Sequence, residues 1–212
     1  ITGTECLAQI IRDEYKDCEL TGLAQQILEQ RDRTSKILQS LVNFAHASTN
    51  KLMHENELVV ISECITQAQT LVSLDKKNKD MQLEIDCDPE AAILGDSQRL
   101  LQVLINLINN ARDASQEGGT IVLAAKNMGT HINISVTDFG IGIPNAIKSR
   151  VFDPFFTTKE AGEGTGLGLS LVFSIVEDLN GNIDIISPVD RTRGTGTQVL
   201  LRFPCYDPLS QG

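Results

Sequence analysis

Basic residues are scarce in this 212-residue chain: 18 Lys and Arg stand against 28 Asp and Glu, a formal net charge of −10 with a pI near 4.7. A balance this acidic excludes the nucleic-acid and anionic-membrane binders, which need clustered Lys and Arg against phosphate. Long apolar runs are lacking too. None approaches the ~18–20 residues that cross a bilayer, and no signal peptide opens the chain. The chain starts at Ile1 rather than Met, which reads as a piece of a longer protein. Membrane contact is then expected only through a part of the parent not present here. The five cysteines, Cys6, Cys18, Cys64, Cys87 and Cys205, are odd in number and far apart, with no C-x-x-C pair. That excludes a disulfide framework and a zinc site, and leaves reduced thiols in a cytoplasmic protein. What is present, 41% hydrophobic and 22% charged residues, suffices for a buried core. At ~150 residues per domain the length allows one to two domains.

Residues 1–50 carry helical periodicity. Leu20, Leu23, Ala24, Ile27, Ile37, Leu38, Leu41, Phe44 and Ala45 recur at spacings of three and four, while Leu7, Ile10 and Ile11 form a shorter stripe before the polar stretch Tyr15–Glu19. This predicts the end of one helix, a turn, and an amphipathic helix of about 25 residues. Two helices cannot cover both stripes, so a homodimer through these N-terminal helices, a four-helix bundle, is the economical arrangement. After a linker at 51–56, residues 57–206 alternate short strands and helices, and 207–212 form a tail. Strands are expected at Glu57–Ile61, Met81–Asp86, Thr120–Lys126, Ile132–Asp138, Asn182–Ser187 and Gly196–Phe203. Helices are expected at Glu63–Leu74, Asp96–Ser115 and Leu167–Leu179, the middle one capped by Asp96 or Ser97 and stopped by Gly118–Gly119. Helices on one face of a mixed sheet make an α+β fold, a two-layer α/β sandwich.

Four segments carry the chemistry. On the Asp96–Ser115 helix, Leu100, Leu104, Leu107, Ile108 and Ala111 fall within about 100° of one another. Gln102, Asn106, Asn110 and Asp113 fall opposite. Asn is a poor helix former, and a solvated face would favour Glu, Lys or Gln; amide oxygens at i and i+4 suit a hard cation and its waters. Asp138-Phe-Gly140-Ile-Gly142-Ile143 follows a strand. Its glycines let backbone approach a ligand, and its carboxylate can accept from an exocyclic amine such as that of adenine. A Gly-rich run, Gly162-Glu-Gly164-Thr165-Gly166-Leu167-Gly168, opens a helix whose N-terminal amides favour phosphate, although it is neither a P-loop nor a dinucleotide fingerprint. Val151–Lys159 places Phe152, Phe155 and Phe156 in a Gly-rich loop, as a lid whose aromatics dock when a ligand is present would. Arg150 and Lys159 add positive charge near the phosphate site.

Together these segments resemble the GHKL nucleotide-binding fold, and within it the sensor histidine kinases of two-component systems. Asn106–Ala114 is similar to the N box, Asp138–Ile143 to the G1 box, Val151–Lys159 with Phe155 to the F box, and Gly164–Leu169 to the G2 box. Gly196-Thr197 is similar to the final glycine-threonine element. The N-terminal helices resemble part of a dimerisation and histidine-phosphotransfer hairpin. The resemblance implies ATP and Mg²⁺ as ligands. Asn110 would be the metal ligand with Asn106 nearby, Asp138 would accept from the adenine amine, and Thr197 would assist through water. Gly140, Gly142 and Ile143 would line the nucleotide, and the amides of Gly164, Thr165, Gly166, Leu167 and Gly168 would hold phosphate under a lid formed by 139–163. It also implies transfer of the ATP γ-phosphate to a histidine and thence to the aspartate of a response-regulator receiver domain.

The sequence departs from that family twice. Asp113 stands where many members carry Lys, leaving Arg112 or Lys159 to supply the cation. None of His46, His54 and His131 sits in a histidine-acid-x-x-Asn-Pro setting, so the acceptor histidine is expected just upstream of Ile1, and the chain alone is expected to bind Mg-ATP without phosphorylating itself. Two alternatives stay open. A GHKL-type ATPase would use a Glu general base where this chain has Asn106, an amide that cannot take a proton from water near neutral pH. A non-catalytic nucleotide-binding scaffold module would keep the same cleft.

Overall fold

Side chains alternate along two central strands, β4 (Thr120–Asn127) and β5 (His131–Asp138), buried on one side and half-buried on the other, because successive residues of a strand face opposite ways. The computed structural model of the chain describes residues 7–11, 18–49, 57–74, 81–159 and 164–205. The sheet has five strands in the order β2 (Gln82–Cys87), β4, β5, β7 (Thr197–Pro204) and β6 (Asn182–Ile186). β2 pairs with β4 in parallel, and every other neighbour is antiparallel. The register brings Ile134 opposite Leu201 and Ile132 opposite Phe203. These four side chains are essentially fully buried.

Three helices cover that apolar face: α2 (Ile61–Leu74), α3 (Ser97–Ala114) and α4 (Gly168–Asp178). Leu100, Leu104, Leu107, Ile108 and Ala111 of α3 point into the core with Val172, Ile175 and Val176 of α4, the stripe that the 3.6-residue period selects. Each buried aliphatic side chain of this kind contributes about 1.5–3 kcal/mol. The result is the two-layer α+β sandwich the pattern predicts. One element lies outside that pattern. Ala92–Gly95 forms a short strand, β3, paired antiparallel with β1 (Glu57–Val60) as a separate two-stranded sheet. Ile61, expected to end β1, is instead the first residue of α2.

Asp96 caps α3, its carboxylate accepting from the backbone N–H of Gln98 at 2.8 Å and of Arg99 at 3.2 Å. α3 ends at Ala114, before the expected stop at Gly118–Gly119, because the Ser115 N–H turns back to the Arg112 carbonyl. α4 runs antiparallel along it, with Arg99 of α3 2.6 Å from Asp178 at the far end of α4. Both partners are largely buried.

The N-terminal helix, α1 (Cys18–Thr49), has 32 residues, longer than the expected 25 or so, and lies against α4. Ala24 is buried, but Leu20, Leu23, Ile27, Leu38, Leu41 and Val42 stay exposed. Residues 7–11 form a further helical turn. The linker at 51–56, the tail at 207–212, His54, and the side chain of His46 lie outside the described residues. Among the described residues no helix is long and apolar enough to cross a membrane. Cys64 is buried and Cys87 and Cys205 half-buried. Burial, reinforced by Glu63, pushes the Cys64 thiol up to about 11, so it stays protonated and unreactive.

Candidate functional site

Two helix surfaces meet at one end of the core. Asn106 donates its Nδ2 to the Gln102 carbonyl at 2.8 Å, which fixes the amide plane and turns Oδ1 toward α4. The approach is close: a Cβ placed on Gly168 would lie 3.2 Å from Asn106 Oδ1 and 3.8 Å from Asn110 Nδ2. Neither Asn106 Oδ1 nor the Asn110 amide has a hydrogen-bond partner among the described residues. The first turn of α4 has no side-chain cap, so its leading N–H groups and the positive end of its dipole open onto these two amides. Thr165 Oγ1 accepts weakly from the Leu167 N–H at 3.4 Å. The folded chain thus brings these residues together as a polar cleft: amide oxygens on one wall and free amide hydrogens on the other.

At the sheet end of the cleft, β5 stops at Asp138, which pairs in register with Thr197, the first residue of β7. Asp138 is buried. Its Oδ1 accepts from the Gly140 N–H at 2.9 Å and the Thr197 N–H at 3.2 Å. Oδ2 has no protein hydrogen bond among the described residues. Burial raises the pKa above 3.8, and the two backbone N–H groups offset only part of that. The chain leaves Asp138 by passing close over the end of α3: a Cβ on Gly140 would collide with the Ala114 carbonyl oxygen, so only glycine fits there. The Ile141 N–H also bonds that carbonyl, at 3.1 Å. Gly142, at φ 73°, takes a conformation that side chains disfavour.

The third wall is the segment up to Lys159. Its ammonium donates to the Asp113 carboxylate, which also accepts from Arg112. Burial pushes the Asp113 pKa up, but the hydrogen bonds from Lys159 and Arg112 outweigh it and hold the carboxyl below 3.8. Both candidate cations thus converge on the residue that departs from the family pattern. Arg112 also donates to Asn109 Oδ1 at 3.1 Å.

The aromatics part company. Phe152 packs on Phe173 of α4 with ring centroids 5.4 Å apart, and Phe156 lies beneath the Arg150 guanidinium at 4.7 Å. Phe155 is exposed. Its backbone sits at φ 66° so that its N–H reaches the Gly166 carbonyl at 2.9 Å. Gly166, at φ 66°, and Gly164 have no room for a Cβ against Phe155 and Thr157. Residues 160–163 lie outside the described residues. His131 opens β5, the end opposite Asp138, and its Nδ1 bonds Thr130 Oγ1 at 2.9 Å.

Sequence reasoning missed Ser187 and Lys148. Ser187 Oγ accepts from the Ile143 N–H at 2.7 Å and donates to the Gly196 carbonyl at 2.9 Å. Lys148 donates to the Ser187 carbonyl. A serine just after a strand and before a proline reads as a plain turn, and nothing local signals its long-range partners.

Comparison with known proteins follows the same lines. Residues 95–207 match the family described as histidine kinase-, DNA gyrase B-, and HSP90-like ATPase. The chain is 35% identical over 186 residues to a putative sensor protein of Shewanella frigidimarina, covering 87% of this chain and 27% of that protein. It is 35% identical over 187 residues to the sensor histidine kinase ZraS of Escherichia coli, covering 88% of this chain and 38% of ZraS. It therefore spans about a quarter to two-fifths of the length of these curated relatives. Among solved structures, the catalytic domain of histidine kinase ThkA superposes with a TM-score of 0.63 at 30% identity, covering 72% of this chain and 97% of that one. ThkA in complex with response regulator protein TrrA superposes with a TM-score of 0.70 at 25% identity, covering 97% of this chain and 57% of that one. A fold, a cleft and a matched span that begins just before α3 and ends just after β7 agree: the chain belongs to the family of histidine kinase-, DNA gyrase B- and HSP90-like ATPases.

Proposed function

We propose that the chain is the ATP-binding catalytic part of a two-component sensor histidine kinase, passing the γ-phosphate of ATP to a histidine and thence to a response-regulator aspartate. The observation that carries this is the apposition of Asn106 and Asn110 with the uncapped start of α4, close enough for one ligand to touch both walls. Adenine would lie at Asp138, its amine donating to Oδ2. The triphosphate would run to the amides of Gly164–Gly168 leading into α4, between those N–H groups and the amide oxygens.

A divalent cation fits the residues present. Asn106 and Asn110 offer neutral oxygens free of protein partners, and no group of three or more His, Cys, Asp or Glu that could cage a metal exists among the described residues. Mg²⁺ commonly takes one or two protein oxygens, with phosphates and water completing its shell. Asn110, with Asn106 beside it, would hold the ion, which when bound neutralises phosphate charge. Everything else falls to the chain itself. Asp138 orients the base, the amides at the start of α4 stabilise the terminal phosphates electrostatically, and Lys159 is poised at the lid with its ammonium paired to Asp113.

Phosphotransfer is favoured over hydrolysis by one side chain. Asn106 occupies the place where an ATPase of this family would need a carboxylate base, and an amide does not accept a proton from water near neutral pH. The ThkA structure that covers nearly the whole of this chain is a complex with a response regulator, which supports a receiver domain as partner here. The exposed stripe of α1 supports a homodimer through the N-terminal helices, with residues 1–50 as part of the phosphotransfer hairpin and 57–206 as the catalytic domain. ATP and reduced thiols suit a cytoplasmic setting.

The test has two arms. Titration with a fluorescent ATP analogue should show binding that Mg²⁺ strengthens and that Asn110→Ala weakens at least tenfold. Mixed with a separately made helical hairpin bearing an acceptor histidine and with γ-labelled ATP, the chain should place acid-labile, alkali-stable label on the hairpin. Steady phosphate release without the hairpin, at a rate matching any transfer, would establish an ATPase instead.

A further inference from the structure

We propose that Ser187 is a positioning residue for base selection: by accepting the Thr197 hydroxyl hydrogen, its own hydroxyl leaves Thr197, the in-register neighbour of Asp138, with only acceptor capacity to offer. The inference rests on the reading of Asp138 as the base-recognition residue and adds a determinant of which base is taken.

A serine hydroxyl can donate once and accept twice. Ser187 Oγ has two short partners and one long one. It donates to the Gly196 carbonyl at 2.9 Å, accepts from the Ile143 N–H at 2.7 Å, and accepts from Thr197 Oγ1 at 3.4 Å. With its single hydrogen directed to Ser187, Thr197 Oγ1 has only lone pairs left to offer. Asp138 Oδ2 likewise offers only lone pairs while the carboxylate is ionised. Two neighbouring acceptors welcome the exocyclic amine of adenine and repel the carbonyl oxygen that guanine carries at the same ring position. Losing a matched polar contact in a buried site costs more than a lost apolar one.

Ser187 also holds the two loops that build the site. The amides fixing Asp138 Oδ1 come from Gly140 and Thr197, on separate segments. Beyond the strand pairing and the Gly196 N–H bond to the Gly140 carbonyl at 2.8 Å, Ser187 ties Ile143 of one to Gly196 of the other. The Lys148 ammonium on the Ser187 carbonyl adds an anchor from the short helical turn after the first loop. Both Ser187 and Thr197 are buried, at 5% exposure each, so water does not substitute for either hydroxyl.

The experiment compares dissociation constants for Mg-ATP, Mg-GTP and Mg-ADP in the wild-type chain and in Ser187→Ala, Ser187→Thr and Ser187→Cys. In Ser187→Ala the Thr197 hydroxyl is free to turn its hydrogen toward the cleft, so the ATP-over-GTP preference should fall about tenfold. The ATP-over-ADP ratio, set at the phosphate end, should stay as in wild type, a split that general loosening of the fold would not produce. Ser187→Thr keeps the hydroxyl and should restore the preference. Ser187→Cys, a near-isosteric weak acceptor, should fall between and serves if the alanine variant does not fold. A wild-type ATP:GTP ratio in the alanine and cysteine variants overturns the role of Ser187 while leaving Asp138 in place. A wild-type chain that binds ATP and GTP equally overturns the base-recognition reading itself, and this inference with it.

Discussion

Asp138, proposed above to meet the base as a carboxylate, sits where burial favours the neutral acid. Its pKa is raised above 3.8 by burial, with two backbone N–H groups offsetting part of the rise. Because the folded value is the higher one, the folded chain holds a proton that the unfolded chain has lost. The neutral acid's share of stability is complete below 3.8 and disappears as pH climbs through the raised value. Asp138→Asn, which mimics the neutral acid, should therefore melt higher than wild type near neutral pH. A gain of roughly 2–4 °C corresponds to about 1 kcal/mol in a domain of this size. The gain should shrink as the melts are repeated toward pH 3.8, while adenine-nucleotide binding is lost throughout. Such a trade of stability for binding is expected where a site is built on a buried charge. Asp113 carries the opposite sign. Burial would raise its pKa, yet hydrogen bonds from Lys159 and Arg112 bring it below 3.8. Its ion pair with Lys159 is about one-third exposed on each side, so a double-mutant cycle over Asp113→Asn and Lys159→Met should give a coupling of only ~0.2–1 kcal/mol. That coupling should hold at pH above 3.8 and fade as pH falls through the lowered value.

At the scale of elements, the α3–α4 pair sets the width of the cleft. One end is fixed by Arg99 and Asp178, 2.6 Å apart; the other is held open by the lack of a side chain at residue 168. Gly168→Ala should leave the fold nearly intact, since alanine favours a helix over glycine by about 1 kcal/mol. Its Cβ would nevertheless stand 3.2 Å from Asn106 Oδ1, in the space between the two walls. Nucleotide titration should then show affinity down tenfold or more with an unchanged or slightly higher melting temperature. A variant that bound normally would mean the ligand does not pass between these helices. The residues that make this cleft legible in the sequence are those whose type is wrong for their place: asparagines on a helix face, glycines at a helix start. Periodicity likewise locates α3, α4, β4 and β5, because each buries one face against a large core. β3 leaves no such mark, having four residues and a partner strand some 35 positions earlier. The Lys159–Asp113 contact spans 46 residues, and Ser187 acts through partners 44 and 10 residues away. Local pattern carries no trace of such pairings; they exist only once the sheet has brought its ends together.

For the molecule as a whole, the layers of the sandwich are covered but most of the described apolar side chains of α1 are not. Leu20, Leu23, Ile27, Leu38, Leu41 and Val42 leave an apolar stripe of α1 in water. The stripe runs at three- and four-residue spacings, the repeat by which helices pack into bundles. Continued at that spacing, it crosses Arg31 and Thr34, a polar layer of the kind that fixes register between helices at some cost in stability. Repulsion between two chains of net charge −10 opposes pairing, but charges spread over the two sandwiches are screened beyond about 8 Å at physiological salt, whereas the apolar contact is not. Association should therefore persist at low salt and tighten as salt rises. Light scattering should give twice the 23.1 kDa chain mass. Replacing Leu23 and Ile27 together by Glu should return the mass to that of one chain. Because neither residue touches the cleft, the double variant should bind Mg-ATP with wild-type affinity, and phosphate transfer to an added acceptor hairpin should report whether pairing and catalysis are separable. A wild-type chain that stays monomeric at tens of micromolar would assign the stripe to a contact within a longer chain rather than between two copies.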